Sequence, residues 1–315
     1  MAFDFSAVSA PFRMQPGLRR LAPGAAQLTP NRLGECALVE KLAVLADHAG
    51  QALLCAPGFD AVPALRALSA HAAAAHSQAL AWDGASTWHA RHLGWSVHDG
   101  ELRGDGPVKI GACLRALPRA WRAPALLALA FAEDFAVIDG ATGCIPWLAV
   151  CLPSHWAPAD KIGRHFAQVH APVADNQTLI AASDHLARLV TGQDRWERFV
   201  WTLTPDSRLD QHPKRLDTTS WPAPAEAPAE TLATHAYFRT ERQTFIPMPE
   251  QRQAIFTIHV ESQALAAAIT TRERARQLHD ALASMSPAVL AYRGLTDARE
   301  RLLGWLSRRA GEPQG

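Results

Sequence analysis

The feature that most restricts the fold is the order of apolar runs between residues 130 and 261. Two strand-like runs come first, AFAEDFAVI (130–138) and IPWLAVCL (145–152). A helical stretch follows, running from Pro158 to His170 and again over residues 177–190. Three more strand-like runs complete the series: RFVWTLT (198–204), AYFRTERQTF (236–245) and AIFTIHVE (254–261). An antiparallel sheet with a helical crossing in its middle must bury one face against those helices. Such a layer can enclose a flat cofactor between sheet and helix. The expected class is mixed α/β of the α+β kind.

Around this centre, residues 1–35 are rich in Pro, Gly and Arg and predict an extended arm wrapping the domain. Helical spacing recurs at 40–48 and 62–76, and two short elements are expected in LAWDGASTW and LGWSV. Residues 206–230, full of Pro, Ala, Asp and Glu, predict a long surface loop or mobile lid. The tail, 271–310, reads as helical with breaks at 286–287 and 293–294. The expected organisation is an arm and helical extension at 1–125, a core at 126–262 and C-terminal helices at 263–315.

Composition removes several classes of function. Lys plus Arg number 31 against 30 Asp plus Glu, and a net charge of +1 argues against a nucleic-acid partner. There is no apolar run of membrane-spanning length; the nearest, APALLALAF, leads straight into Glu133 and Asp134. With no signal-peptide pattern at the start, a cytoplasmic protein is expected. The five cysteines form no CxxC pair, so zinc–thiolate or iron–sulfur centres are not expected in this chain. GxGxxG, GxxxxGK[ST] and HExxH are all absent from the sequence, which disfavours the familiar nucleotide sites and zinc hydrolases.

An ordered set of short motifs points elsewhere. EDF (133–135), CLPSHW (151–156), KIG (161–163), VHAPV (169–173), RFVW (198–201), RTERQTF (239–245), AIFTI (254–258) and YRGL (292–295), with FRMQPGL (12–18) before them, resemble the haem-dependent oxidative N-demethylase alpha-subunit family. The resemblance implies a PAS-like fold holding haem b through an axial histidine. It also implies oxidation of a small methylated amine such as dimethylamine by dioxygen, releasing the shorter amine and formaldehyde. Electrons would come from a separate reductase subunit using NADPH with flavin and iron–sulfur groups. One rival is a non-catalytic haem-binding sensor or carrier on the same scaffold, and a second is a cofactor-free scaffold or interaction subunit that kept the fold alone.

Haem iron needs a strong nitrogen donor on a rigid element, usually one neutral imidazole. His170 ends the helical run, and Pro172 restricts the backbone just beyond it. Its plain alternative is a helix-terminal histidine bonded to nearby carbonyls; the resemblance favours the ligand. His165 lies about 140° away round a helix, and His155 falls in a loop. Across the haem, RTERQTF is the expected supplier of polar groups. On a strand Arg239 and Glu241 share one face, and Thr240 and Arg242 the other. Arg242 or Arg239 would polarise bound oxygen or pair with a haem propionate, and Glu241 would pair with an arginine or the substrate ammonium. A solvated face of ion pairs is the alternative. Arg198 and Trp201 sit on opposite faces of the preceding strand, and Trp201 would fill the core or wall the porphyrin. Lys161 and Arg164 would bind propionates or face water. Val200 stands where the family resemblance leads one to expect a polar residue, often Asn, which bears on the substrate more than on the haem. Ser154 reads as a helix N-cap, His259 as a satisfied sheet histidine or a second polar group near the pocket, and Glu133 with Asp134 as a solvated turn or an arginine's partners rather than an acid–base pair.

Overall fold

The computed structural model describes residues 3–216, 221–223 and 228–311. In chain order its strands are β1 (Arg19–Arg20), β2 (Leu53–Cys55), β3 (Leu80–Trp82), β4 (Thr87–Ala90), β5 (Trp95–His98), β6 (Glu101–Gly104), β7 (Asp134–Asp139), β8 (Cys144–Ala149), β9 (Trp196–Thr204), β10 (Tyr237–Met248) and β11 (Gln253–Ala264). Seven of them form one antiparallel sheet in the order β1-β9-β10-β11-β7-β8-β2. The other four make a smaller sheet, β3-β4-β5-β6. The protein is α+β. The five strands expected from the apolar runs are β7 to β11, and the helices of the crossing lie between β8 and β9.

The return of β11 to the side of β7 places the pair Thr257↔Phe135 in register and sets the first strand of the series beside the last. One face of the large sheet carries Val137, Trp147, Ile246 and Ile255 into the main core. There the helices Cys36–Asp47, Val62–Ala75 and Arg119–Ala130 cover it. Toward the β9 edge the same face is covered by the C-terminal helices Arg272–Ala283, Pro287–Tyr292 and Arg299–Ala310, packed on Trp201, Leu203 and Phe238. The other face carries Ala136, Ile138, Leu148, Phe245 and Phe256 toward the crossing helices.

Four expectations about the elements need correction. The apolar run at 130–138 is split, because Arg119–Ala130 is a buried helix and the strand starts only at Asp134. The run from Pro158 is not one helix. A single 3-10 turn, Pro158–Asp160, gives way to a turn in which Gly163 takes φ 69°, and the helix is only Phe166–His170. The short N-terminal elements are a complete second sheet, and residues before 126 also supply β1 and β2 at the edges of the first.

The fourth concerns 206–230, of which residues 217–220 and 224–227 lie outside the described residues. The part just after β9 is no loose loop. The backbone N–H groups of Leu209 and Asp210 donate to Glu40, and Arg215 pairs with Asp210 at 2.7 Å.

Glu133 and Asp134 are not solvated either. Lys41 and Asp134 are 0% and 1% exposed and pair at 3.1 Å, while Lys41 also donates to the carbonyls of Phe131 and Glu133. The second Asp134 oxygen accepts the Leu152 N–H, which fixes the exit of β8. Glu133 accepts the Thr29 N–H and pairs with His259 at 2.8 Å. His259 is therefore the satisfied sheet histidine that was expected. Lys41→Met should cost about 3–5 kcal/mol in chemical denaturation, because it strands a buried carboxylate, and adding Asp134→Leu should recover most of the loss.

His71, in the helix Val62–Ala75, has its Nε2 buried without a partner. Burial, then Arg195 and His76, push its imidazole from 6.5 down to about 4. Between those values the unfolded chain takes up a proton that the folded chain does not, so stability falls as pH drops from 6.5 toward 4. Denaturation midpoints across that window should show the decline, and His71→Gln should lessen it, leaving the share of His170, which burial likewise pushes down to about 4.

Candidate functional site

Side-chain alternation writes one polar patch into an apolar face. The pairs Arg198↔Gln243 and Val200↔Glu241 between β9 and β10 put these four residues on the same side. Gln243↔Ile258 and Phe245↔Phe256 continue the row onto β11, and Phe256↔Ala136 onto β7. Above this floor the crossing helices Phe166–His170, Gln177–Ala181 and Ser183–Val190 present Val169, Leu179, Leu186 and Val190. Between floor and roof is a cavity of about 320 Å³, within the range of roughly 300–1,000 Å³ usual for ligand and cofactor sites. Met14, Pro16 and Leu18 of the N-terminal arm close one side, where β1 pairs with the edge of β9.

His170 lines this cavity from the roof. Five residues make too short a helix to hold itself, so its position comes from contacts around it. Residues before it zip onto the β7–β8 hairpin: Ile145 N–H donates to Arg164 O, and Phe166 N–H to Gly143 O. Gly143, at φ 68°, admits the His165 ring, which a Cβ would meet at 2.4 Å. His165 caps the helix, accepting the Ala167 N–H while Gln168 accepts the His165 N–H. At the other end the Asn176 amide donates to the carbonyls of His170 and Ala171.

Within that frame Nδ1 of His170 lies 2.9 Å from the Phe166 carbonyl, an acceptor, so Nδ1 carries the proton and Nε2 keeps a lone pair. Burial pushes the imidazole down to about 4, which keeps it neutral at neutral pH. Neutral, tautomer-fixed and bordering a cavity, it has the attributes of a metal-binding nitrogen. His165 does not share them: its Nε2 pairs with Asp184 at 3.1 Å and Nδ1 is used in the cap. His155 borders the cavity too, from a backbone at φ 59°.

The structure brings His170, Lys161, Arg198, Trp201 and Glu241 to the cavity wall and leaves Arg239 and Arg242 outside it. Arg239, 1% exposed, shares the face of Glu241 but ends among carbonyls. It donates to Arg208 O at 3.0 Å and Leu209 O at 2.8 Å, and to Ser154 Oγ at 2.9 Å. It binds the segment after β9 to the segment after β8. Arg242 points to the other face, where it pairs with Glu197 at 2.9 Å and donates to Ala26 O. Neither guanidinium faces a ligand in the cavity. Trp201, 3% exposed, packs on Phe12 and Phe238 as a core residue and only borders the space. Lys161 is half-buried and gives one N–H to Val169 O at 2.7 Å. Ser154 caps no helix; its hydroxyl donates to Glu241.

Glu241 is held from two sides, by Ser154 Oγ and by Gln243 Nε2 at 2.5 Å. Gln243 escaped the sequence reading, although the same alternation that joined Arg239 to Glu241 reaches it. Arg293 of the YRGL motif is the other omission. It donates to Trp201 O and lies over the Phe12 ring at 4.6 Å. Its motif was visible in the sequence, but its arrival at the β9 edge depends on the packing of the C-terminal helices.

A model of haem-dependent oxidative N-demethylase, alpha subunit-like, matches residues 115–303, well over half of the 315. The chain belongs to this family. Membership in the oxidative N-demethylase alpha-subunit-like family carries haem dependence, an oxidative enzyme and a partner subunit. The residues fit a haem. Among the described residues no group of three or more His, Cys, Asp and Glu could hold a metal ion; a porphyrin supplies four nitrogens itself, so one imidazole suffices. The floor and roof are apolar, and cationic side chains stand in the wall. No helix among the described residues is long and apolar enough to cross a membrane.

Arg239→Met should lower the denaturation midpoint far more than Arg242→Met. The first strands several buried carbonyls, at about 1–3 kcal/mol each, whereas the second frees one carbonyl, Ala26 O, and breaks an ion pair whose carboxylate, Glu197, keeps Arg19 as a partner.

Proposed function

We propose that this chain is the catalytic, haem-carrying subunit of a monooxygenase that removes a methyl group from a small secondary amine of the dimethylamine kind. The observation that carries the reading is His170, fixed by Phe166 O with Nε2 available, on the roof of an apolar cavity whose floor holds the anchored carboxylate of Glu241. The strand order, with the last of the five beside the first, supports the PAS-like reading of the core.

His170 would hold the iron of haem b through Nε2, and the apolar floor and roof would grip the ring and exclude water. Bound there, haem supplies dioxygen activation, with electrons brought by a separate NADPH-linked reductase carrying flavin and iron–sulfur groups. Glu241 would receive the substrate ammonium. Its oxygens are pre-oriented by Ser154 and Gln243, so little ordering remains to be done on binding. Val200, directly opposite Glu241 in the register, gives the alkyl groups an apolar neighbour. Overall, one oxygen atom enters a methyl C–H bond and the carbinolamine loses formaldehyde. The second oxygen atom leaves as water with two electrons and two protons.

Wild type supplied with haem should show a Soret band that His170→Ala loses or greatly weakens; an unchanged spectrum in the variant would remove His170 from the iron. With a competent reductase, dimethylamine should support formaldehyde release. Glu241→Gln should keep the haem and raise the amine KM by roughly ten- to a hundredfold, the worth of one charge-assisted contact. Haem retained with no turnover on any small methylated amine would instead favour a sensor or carrier.

A further inference from the structure

Two of the cations in the cavity wall have no carboxylate beside them. Arg198 is half-buried on β9, and it makes no hydrogen bond among the described residues. Its Nε is buried without a partner. Arg293 reaches the same cavity from the C-terminal side, and its Nε is likewise buried and unpartnered. Its other contacts are a carbonyl (Trp201 O), a thioether (Met14 Sδ, 3.8 Å) and the faces of Phe12 and Trp201. None of these neutralises a charge.

The two guanidiniums are near enough to repel. Burial chiefly, and Arg198 in addition, push Arg293 down to about 10, which still leaves it charged at neutral pH. The carboxylate in the wall, Glu241, attracts Arg198 but makes no ion pair with it, and its oxygens accept from Ser154 and Gln243 instead. Across the lining, Lys161, Arg198 and Arg293 face Glu241 as the one acidic side chain among the described residues. Half-buried positive charge of this kind is costly unless an anion meets it, and a guanidinium presents its Nε and Nη donors as a fork matched to a carboxylate.

We infer that Arg198 and Arg293 together form a carboxylate-binding clamp at the arm side of the cavity. The haem propionates are one source of that carboxylate, and an N-methylated amino acid in place of a simple amine is the other. Because Arg293 also touches Met14 and Phe12, a carboxylate seated there joins the arm to the cavity's contents. The inference rests on the reading of the cavity as the haem site, and the experiment separates the two.

The full chain, freed of haem, is titrated with haem b and with its dimethyl ester, following the Soret band and the quenching of tryptophan fluorescence. Wild type, Arg293→Gln, Arg198→Gln and the charge-keeping Arg293→Lys are compared. If propionates occupy the clamp, the ester binds wild type roughly ten- to a hundredfold more weakly than haem. The glutamine variants then lose a similar factor for haem but little more for the ester, and Arg293→Lys recovers part of it. If ester and haem bind wild type alike, N-methylglycine and N,N-dimethylglycine should shift the Soret band of wild type and not of Arg293→Gln, which assigns the clamp to substrate. Equal binding of ester and haem with no shift by either acid overturns the clamp while leaving the haem reading intact. Should neither haem nor ester bind, the haem reading fails. The clamp is then judged on the haem-free protein alone, by whether N,N-dimethylglycine raises the Tm of wild type and not of Arg293→Gln; no rise overturns it.

Discussion

The arrangement of the site depends on one backbone pairing, the antiparallel ladder between β11 and β7. By bringing the last of the five central strands back to the first, it closes the sheet order and leaves β9 far from β8. The chain that joins β8 to β9 must therefore travel across the sheet. It does so as short helices, and the space under them becomes the cavity. The same ladder, with those between β9, β10 and β11, sets which side chains look into that space. A slip of one residue would exchange Arg198, Glu241 and Gln243 for Glu197, Arg242 and Thr244.

Charge inside this protein is managed by two different devices. At the strand ends, Lys41 with Asp134 and Arg239 with its carbonyls are fully committed, and they fix the segments that leave β8 and β9. At the cavity the charges are half-buried and incompletely matched, with Glu241 oriented by neutral donors and Arg198 left without a hydrogen bond among the described residues. Committed groups give rigidity, and uncommitted ones give a place for something to bind. Arg239 of the first set and Glu241 of the second stand two residues apart on β10, which is why a strand rich in Arg, Glu and Gln reads ambiguously in one dimension.

The central strands, the helical crossing and the placing of His170 at its end were legible because each is a local pattern: alternation, helical spacing, a proline after a histidine. The faces of β9 and β10 were legible for the same reason. What alternation does not give is the depth or the neighbour of a side chain. Arg239 shares a face with Glu241, yet the segments after β8 and β9 meet over it and consume its donors. Lys41 lies in a helix that reads as ordinary, and only the tertiary approach of Asp134 explains its burial. Arg293 depends on the docking of the C-terminal helices, and β1 on an edge pairing of two residues. Pairings as short as that leave no periodic trace.

The edge pairing of Arg19 with Glu197 has a temporal consequence. On a ribosome the arm is made before the strand it docks on: β9 appears only after some 175 further residues, an interval of roughly ten to thirty-five seconds at ordinary rates of synthesis. Throughout that interval the flank later shut by Met14, Pro16 and Leu18 has no partner to close against. The order of manufacture thus leaves a doorway without its frame until β9 has been made, and a segment born well before that frame is the one that shuts it.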